Sequence, residues 1–232
     1  MSSPSELDAI RERYARRASL PVDRYSRFNP EVLARVHERQ RATASLLAAH
    51  GIRSLEGRDL MEIGCGNGGN LIEFIQLGAA PERLVGNDLL AERLAHARKL
   101  LPGSVRLFAG DASALPFSEA SFDIVYQSTV FSSILDDALQ VRLAEAMWPW
   151  VRPGGGVLWY DFTVDNPSNH DVRGVPLGRV QALFPKGRIS ARRLTLAPPI
   201  GRRVCRIHPA AYHLFNVLPF LRTHVLCWIQ KP

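Results

Sequence analysis

The stretch Asp59-Leu-Met-Glu-Ile-Gly-Cys-Gly-Asn-Gly-Gly69 has the residue types and spacing that point most directly to chemistry. Leu60, Met61 and Ile63 read as a buried strand, and Gly64, Gly66, Gly68 and Gly69 force a tight turn after it. Asn70 to Gln76 follows with helical spacing. Strand, glycine turn and helix open a nucleotide-binding α/β unit, whose backbone a ligand can approach closely. Gly64, Gly66 and Gly69 fit G-x-G-x-x-G, and Asp88 lies nineteen residues beyond Gly69, close to where a ribose-binding carboxylate is expected. Spacing alone does not decide between cofactors, and a nicotinamide-dependent oxidoreductase fits it too.

A second concentration of reactive groups runs from Asp161 to Arg173, with Asp161, Asp165, Asn166, His170, Asp171 and Arg173 within thirteen residues. His170 is the first candidate for a general base, because an imidazole titrates near neutrality without a large shift. The competing reading is a surface histidine in a polar loop. Asp165 and Asp161 are the alternative bases, with Asp161 better suited to organising a cleft. Arg173 closes the loop, and its guanidinium can grip an anion through two parallel hydrogen bonds.

These groups need a scaffold. Ser5 and Asp8 form a capping pair for a helix running to Arg17, with Ile10 and Tyr14 on one face. Asn29 and Pro30 start a second helix whose apolar side includes Val32, Leu33, Leu46 and Leu47. Further strands are expected at Leu84–Val85, Val105–Leu107, Phe122–Tyr126, Val157–Tyr160, Arg192–Leu196 and His224–Gln230. Helices are expected at Ala91–Lys99, Asp137–Trp150 and Pro176–Phe184, with Pro209–Phe215 a helix or part of a rim. Trp148 and Trp150 read as packing groups. Gly154–Gly156 reads as a turn into the fifth strand, and Ala197-Pro-Pro-Ile-Gly201 as a rigid turn.

Several of these segments together resemble the class I methyltransferases that use S-adenosylmethionine. The resemblance rests on Glu62-Ile-Gly-Cys-Gly-Asn-Gly68, Leu84-Val-Gly-Asn-Asp88, Gly110-Asp-Ala-Ser-Ala-Leu-Pro-Phe117, Ser121-Phe-Asp-Ile-Val-Tyr126 and Val151-Arg-Pro-Gly-Gly-Gly156, in that order. It covers residues 56 to 162 well and the C-terminal part loosely. It implies a Rossmann-like α/β fold with a seven-stranded, mostly parallel sheet and an antiparallel final strand. It also implies S-adenosylmethionine contacts from Glu62, Gly64, Gly66, Asn67 and Gly68. Asp88 would hold the ribose, with helix capping as its other reading, and Leu89 would lie against the adenine. Asp111 would accept from the adenine amino group and the Ala112 backbone would serve a ring nitrogen, with an Asx-turn as the alternative for Asp111. Gln127 and Ser128, at the edge of the fourth strand, would sit near the methionine part or the transferring methyl, with Phe131 as an apolar wall.

Residues 1–55 then become an N-terminal helical cap or lid with Tyr25 and Arg24 as its contact candidates. Residues 56–232 become the methyltransferase domain, with acceptor-side elements mainly from 161–220. Asn166-Pro167, Asn169, Asp171-Val-Arg173 and Leu221-Arg-Thr-His224 more loosely resemble bacterial methyltransferases of polysaccharide or secondary-metabolite synthesis. That resemblance implies a small-molecule acceptor, expected to present a hydroxyl, and the residues offer Tyr25, Phe131, Asn166 and Arg173 as its candidate contacts.

Composition sets limits on partners. Residues 172–232 carry eleven Lys and Arg and no Asp or Glu, against a net charge of +7 for the whole chain. That block suggests an acceptor with a negative group, while a solvated arginine face is the plain reading. Nucleic acid is not favoured, since no binding motif accompanies the charge, though a nucleic-acid methyltransferase stays open. No apolar run is long enough to span a bilayer, and the N-terminus lacks an apolar targeting core. Cys65, Cys205 and Cys227 have no metal-ligand spacing, so no metal is expected; they read as free thiols in a reducing cytoplasm.

Overall fold

Short apolar runs alternating with amphipathic helices produce one seven-stranded sheet covered on both faces, in the computed structural model that describes residues 5–18, 25–166 and 169–232. The strands are β1 (Leu60–Ile63), β2 (Leu84–Asp88), β3 (Arg106–Ala109), β4 (Phe122–Ser128), β5 (Val151–Phe162), β6 (Arg188–Leu196) and β7 (Arg222–Gln230). Their order across the sheet is β3-β2-β1-β4-β5-β7-β6. The first five pair in parallel, and β7 runs antiparallel to both β5 and β6. The sheet is therefore mostly parallel with an antiparallel final strand.

Strand residues alternate between two apolar layers. Val125, Val157 and Trp159 face one layer with Leu143 and Met147 of α5 (Asp137–Trp150) and Val180 of α6 (Leu177–Leu183). Ile124, Tyr126 and Leu158 face the other with Leu46 and Leu47 of α2 (Pro30–Ala49), Leu71 and Phe74 of α3 (Gly69–Gln76) and Leu94 of α4 (Ala91–Leu100). The second N-terminal helix thus belongs to the core, starting where Asn29 accepts from the Glu31 N–H. The first, α1 (Glu6–Ala18), begins at the expected Ser5–Asp8 capping pair.

Two local expectations change. Gly154–Gly156 lies inside β5, not before it. A Cβ on Gly155 would come 2.4 Å from the Asp123 carbonyl oxygen, so the missing side chain allows the strands to pair through an irregular register. Pro198 and Pro199 open a helix, α7 (Pro198–Ile207), because proline fits the first turn, whose N–H groups have no intrahelical acceptor. Helix α8 (Ala211–Asn216) follows. No helix among the described residues is long and apolar enough to cross a membrane.

Glu38 of α2 fastens this C-terminal layer. Its Oε1 accepts from the Thr195 N–H at 3.1 Å and Asn216 Nδ2 at 2.6 Å, and its Oε2 accepts from the Tyr212 hydroxyl at 2.8 Å. Tyr212 is fully buried and Thr195 holds a left-handed φ of 68° in β6. Glu38→Ala leaves all three donors without that acceptor. We expect it to cost about 2–4 kcal/mol, the scale of orphaned buried donors to a charged group. Urea unfolding measures this, and a loss below about 1 kcal/mol would show that Glu38 is not the fastening.

Candidate active site

Open parallel sheets leave a crevice beyond the carboxyl ends of their strands, where the loops diverge. Here that crevice is a cavity of about 560 Å³, within the roughly 300–1,000 Å³ usual for small-molecule sites. Its floor comes from the turns after β1, β2, β3 and β4, and one side comes from α1.

The turn after β1 begins at Gly64, where φ is 67° and an added Cβ would lie 2.4 Å from Val130 Cγ2. Only glycine tolerates both the conformation and the contact. Gly64, Gly66 and Asn67 line the cavity. Gly68 caps α3 and faces Leu101.

Asp88 stands at the end of β2, almost completely buried. Its Oδ2 accepts from the Gly66 N–H at 2.8 Å and its Oδ1 from the Leu90 N–H at 2.9 Å. The helix-cap reading is therefore partly realised, yet Asp88 and Leu89 also line the cavity. A carboxylate has about four acceptor positions, so two backbone bonds leave capacity for ligand hydroxyls. Asp111 does the same after β3. Its Oδ1 accepts from the Ser113 N–H and hydroxyl, making the Asx-turn, while Asp111 and Ala112 line the cavity.

Glu62 lies behind this surface. Asn70, which does line the cavity, donates to Glu62 Oε1 at 2.6 Å and accepts from Arg39 at 2.6 Å. Burial pushes the Glu62 carboxyl up to about 8, against smaller opposing effects of Asn70 and Arg39. Gln127 is also behind the wall, where its Oε1 accepts from the Val130 N–H. Ser128 lines the cavity beside Thr129, which carries a left-handed φ of 57° and donates its N–H to the Tyr160 carbonyl. Phe131 is fully buried against Trp159, so it supports the wall without forming its surface.

The polar loop after β5 is placed differently from the sequence expectation. None of Asp161, Asp165, Asn166, His170 and Arg173 lines the cavity. Asp161 is fully buried, accepts from the Ser132 and Phe162 N–H groups, and is pushed up to about 7 by that burial. Asp165 accepts from the Gly174 N–H at 2.7 Å, His170 is exposed, and Arg173 pairs with Asp137. These residues order the loop because each charged group found a nearer partner than the cavity. Asp171 instead holds α1, accepting from Arg16 at 2.6 Å and, through its carbonyl, from Arg17 at 3.1 Å.

Helix α1 supplies the residues that sequence reasoning missed. Ile10, Tyr14 and Arg17 line the cavity, and the Arg17 and Arg93 guanidiniums each sit 4.9 Å from the Tyr14 ring centre. The four-residue spacing of Ile10 and Tyr14 gave their common face but not what that face would cover. Tyr25 lines the cavity as expected for a lid contact, whereas Arg24 lies outside the described residues.

Other proteins resemble the chain in sequence and in fold. Residues 60–155 match a family model described as a methyltransferase domain. The chain is 33% identical to a trans-aconitate 2-methyltransferase of Afipia carboxidovorans over 76% of this chain and 62% of that one. It is 33% identical to a malonyl-[acyl-carrier protein] O-methyltransferase of Erwinia billingiae over 60% of this chain and 52% of that one. The chain thus spans between half and two thirds of the length of these two relatives. Among solved structures, a Burkholderia thailandensis 1,6-didemethyltoxoflavin-N1-methyltransferase with bound S-adenosylhomocysteine aligns with a TM-score of 0.62 at 18% identity, covering 100% of this chain and 92% of that one.

The buried Glu62 makes a pH prediction. Its value rises from an ordinary 4.5 to about 8 on folding, so the folded state holds the proton more tightly. Its contribution is complete below the unfolded value and is lost as pH rises through about 8. His224 acts with the opposite sign, since burial lowers it from 6.5 to about 3, but it has stopped titrating in either state well above 6.5. Urea midpoints of the ligand-free protein should therefore fall between about pH 7 and 8, and Glu62→Gln should flatten that fall. An unchanged slope in the variant would remove Glu62 as its source.

Proposed function

We infer that the chain belongs to the class I S-adenosylmethionine-dependent methyltransferases, and from that premise we propose that it methylates an oxygen of a small acceptor carrying a negative charge. The family settles the choice of cofactor that glycine spacing left open. The observation that carries the reading is the cavity itself, where Asp88, Asp111 and the glycine turn converge beneath a cationic helix.

The donor set fits the cofactor. Asp88 would hold the ribose hydroxyls, Asp111 and the Ala112 N–H the adenine edge, and the Gly64–Gly66 backbone with Asn70 and Ser128 the remainder. When bound, S-adenosylmethionine supplies an electrophilic methyl group. The chain's task is to orient an acceptor lone pair toward it and exclude water, which needs neither metal nor covalent attachment. Helix α1 would be the cover, with Tyr14 and Tyr25 closing the mouth. This narrows the lid from residues 1–55 to their first part, because α2 is packed into the core.

The acceptor oxygen expected from sequence is a hydroxyl, whose proton must go to a base. Among the described residues, the carboxylates lining the cavity are Asp88, Glu92 and Asp111, and two of these have cofactor roles in this reading. A carboxylate acceptor is already ionised near neutrality and needs no base. Arg17 is placed to pair with it. Trans-aconitate and malonyl groups, named for the two relatives, are carboxylate-bearing. A hydroxyl of a saccharide or secondary metabolite is the second reading. It is favoured by Asp161, which burial brings to about 7, the range of an effective base. That route requires the 129–133 turn to move and uncover it.

Two measurements test these assignments. Asp88→Ala should weaken S-adenosylhomocysteine binding about 10- to 100-fold by isothermal titration. A thermal melt separates ligand loss from damage to the Gly66 and Leu90 turns, and unchanged affinity in folded protein would refute the ribose role. Methyl-transfer assays on matched carboxylate and neutral acceptors, read by mass spectrometry, should favour the carboxylate and give a methyl ester that mild base removes. Arg17→Ala should raise KM for that acceptor about tenfold with a smaller change in kcat. A base-stable ether as the main product would establish the hydroxyl reading.

A further inference from the structure

Between Ile207 and Phe220 the chain exposes an unusual amount of apolar surface. Ile207 is 86% exposed, Leu214 71%, Val217 67% and Phe220 75%, with Phe215 and Leu218 about two-fifths exposed. Scattered apolar residues are ordinary on surfaces, but six large ones within fourteen positions form a patch that marks an interface.

The patch is held on a rigid base. Tyr212 and Asn216 of α8 point inward and donate to Glu38, while Val204 and Cys205 of α7 pack with Leu196 beneath. The opposite face of α7 carries Arg202, Arg203 and Arg206, and Arg222 follows the patch. No Asp or Glu occurs anywhere from residue 172 to the end of the sequence. Apolar side chains set among arginines, in a segment with no carboxylate of its own and with the adjoining Glu31 buried beneath, complement a surface that is anionic outside and apolar within. A bilayer containing acidic lipid has that profile. The arginines would meet lipid phosphates while Ile207, Leu214, Val217 and Phe220 enter the acyl boundary.

The start of α2 adjoins the base of the patch. Glu31 packs its Cγ beside Gly201 of α7. Three residues before it, Phe28 is 99% exposed, and Tyr25 lines the cavity. We propose that residues 198–222 form a docking surface by which this protein binds the face of an anionic membrane, with Phe28 at its edge. This does not depend on the identity of the methyl acceptor.

Co-sedimentation of the full chain with sucrose-loaded vesicles tests the proposal. Binding is expected to vesicles with about 30% phosphatidylglycerol and not to pure phosphatidylcholine. It should fall about tenfold on raising salt to roughly 0.5 M, where charge attraction is screened over a few ångströms. Arg203→Ala with Arg206→Ala, and separately Ile207→Ser with Phe220→Ser, should each weaken binding about tenfold. All four side chains are exposed, and circular dichroism checks that the variants fold. No binding by folded wild-type protein would overturn the proposal, as would binding that both double variants retain. Sedimentation velocity supplies the other arm: a dimer abolished by Ile207→Ser with Phe220→Ser would assign the patch to self-association instead. Complex formation with an acidic carrier protein, without vesicle binding, would overturn it equally.

Discussion

One carboxylate holds the working end of the sheet together. Asp88 accepts from Gly66 on one side and from Leu90 on the other, so the turns after β1 and β2 share an anchor. Its own carbonyl accepts from the Gly110 N–H, and Asn87 Nδ2 donates to the Phe108 and Gly110 carbonyls, bringing in the turn after β3. Parallel strands give their loops no reason to stay close beyond the last ladder bond. Two adjacent residues of β2 provide that reason, fixing three turns around one crevice. The carboxylate retains acceptor capacity, so the group that organises the crevice also faces whatever enters it.

The N-terminal helices are held by different physics. Leu46 and Leu47 bury α2 in the core with β1 and β4, and removing such side chains costs about 2–5 kcal/mol each. Helix α1 contributes Ile10 to the other layer, packs Leu7 and Tyr14 against it, and adds polar contacts. Arg13 bridges Glu6 and the Ser133 carbonyl, Glu6 accepts from the Leu135 N–H, and Arg16 pairs with Asp171. Of these ion pairs Arg16–Asp171 is exposed, and such a pair contributes about 0–1 kcal/mol and weakens with salt, whereas Arg13 is buried at its bridge. The two helices are thus held differently, α2 by leucines inside one layer and α1 by a narrower apolar face with a buried arginine bridge beside it.

The fold was legible because its signals are local. Glycine spacing, apolar alternation and the Asn29–Pro30 start of α2 each imply an element without tertiary information. Glu62, Asp88 and Asp111 were legible as an ordered set at strand ends. The loop from Asp161 to Arg173 was not, because its residue inventory is what an acceptor site requires and also what an ordered surface loop requires. Asp165 bonding to Gly174, Arg173 pairing with Asp137 and Asp171 holding α1 depend on contacts across the chain that no spacing encodes. Helix α7 escaped for a local reason: Pro198-Pro199 reads equally as a turn or as a first helical turn, and the burial of Val204 and Cys205 decides it. Tyr14 and Arg17 escaped because a helix face shows its periodicity without showing what lies opposite.

The basic block at the C-terminal end divides into charges with internal work and charges without it. Lys231 donates to the Trp148, Pro149 and Val151 carbonyls, where the end of α5 presents partial negative charge. Arg173 and Arg179 neutralise Asp137 at the start of the same helix, and Arg222 donates to the carbonyls of Asn216 and Arg193. Arg203 and Arg206 face solvent on α7. At physiological ionic strength the field of such exposed charges decays over about 8 Å. They act where a surface touches them and contribute little to choosing a molecule inside the cavity. Among the described residues, the arginines at the cavity wall are Arg17 and Arg93. A net charge of +7 thus sums arginines in different settings, some at the wall of a crevice, some paired within the fold and some on an exposed helix.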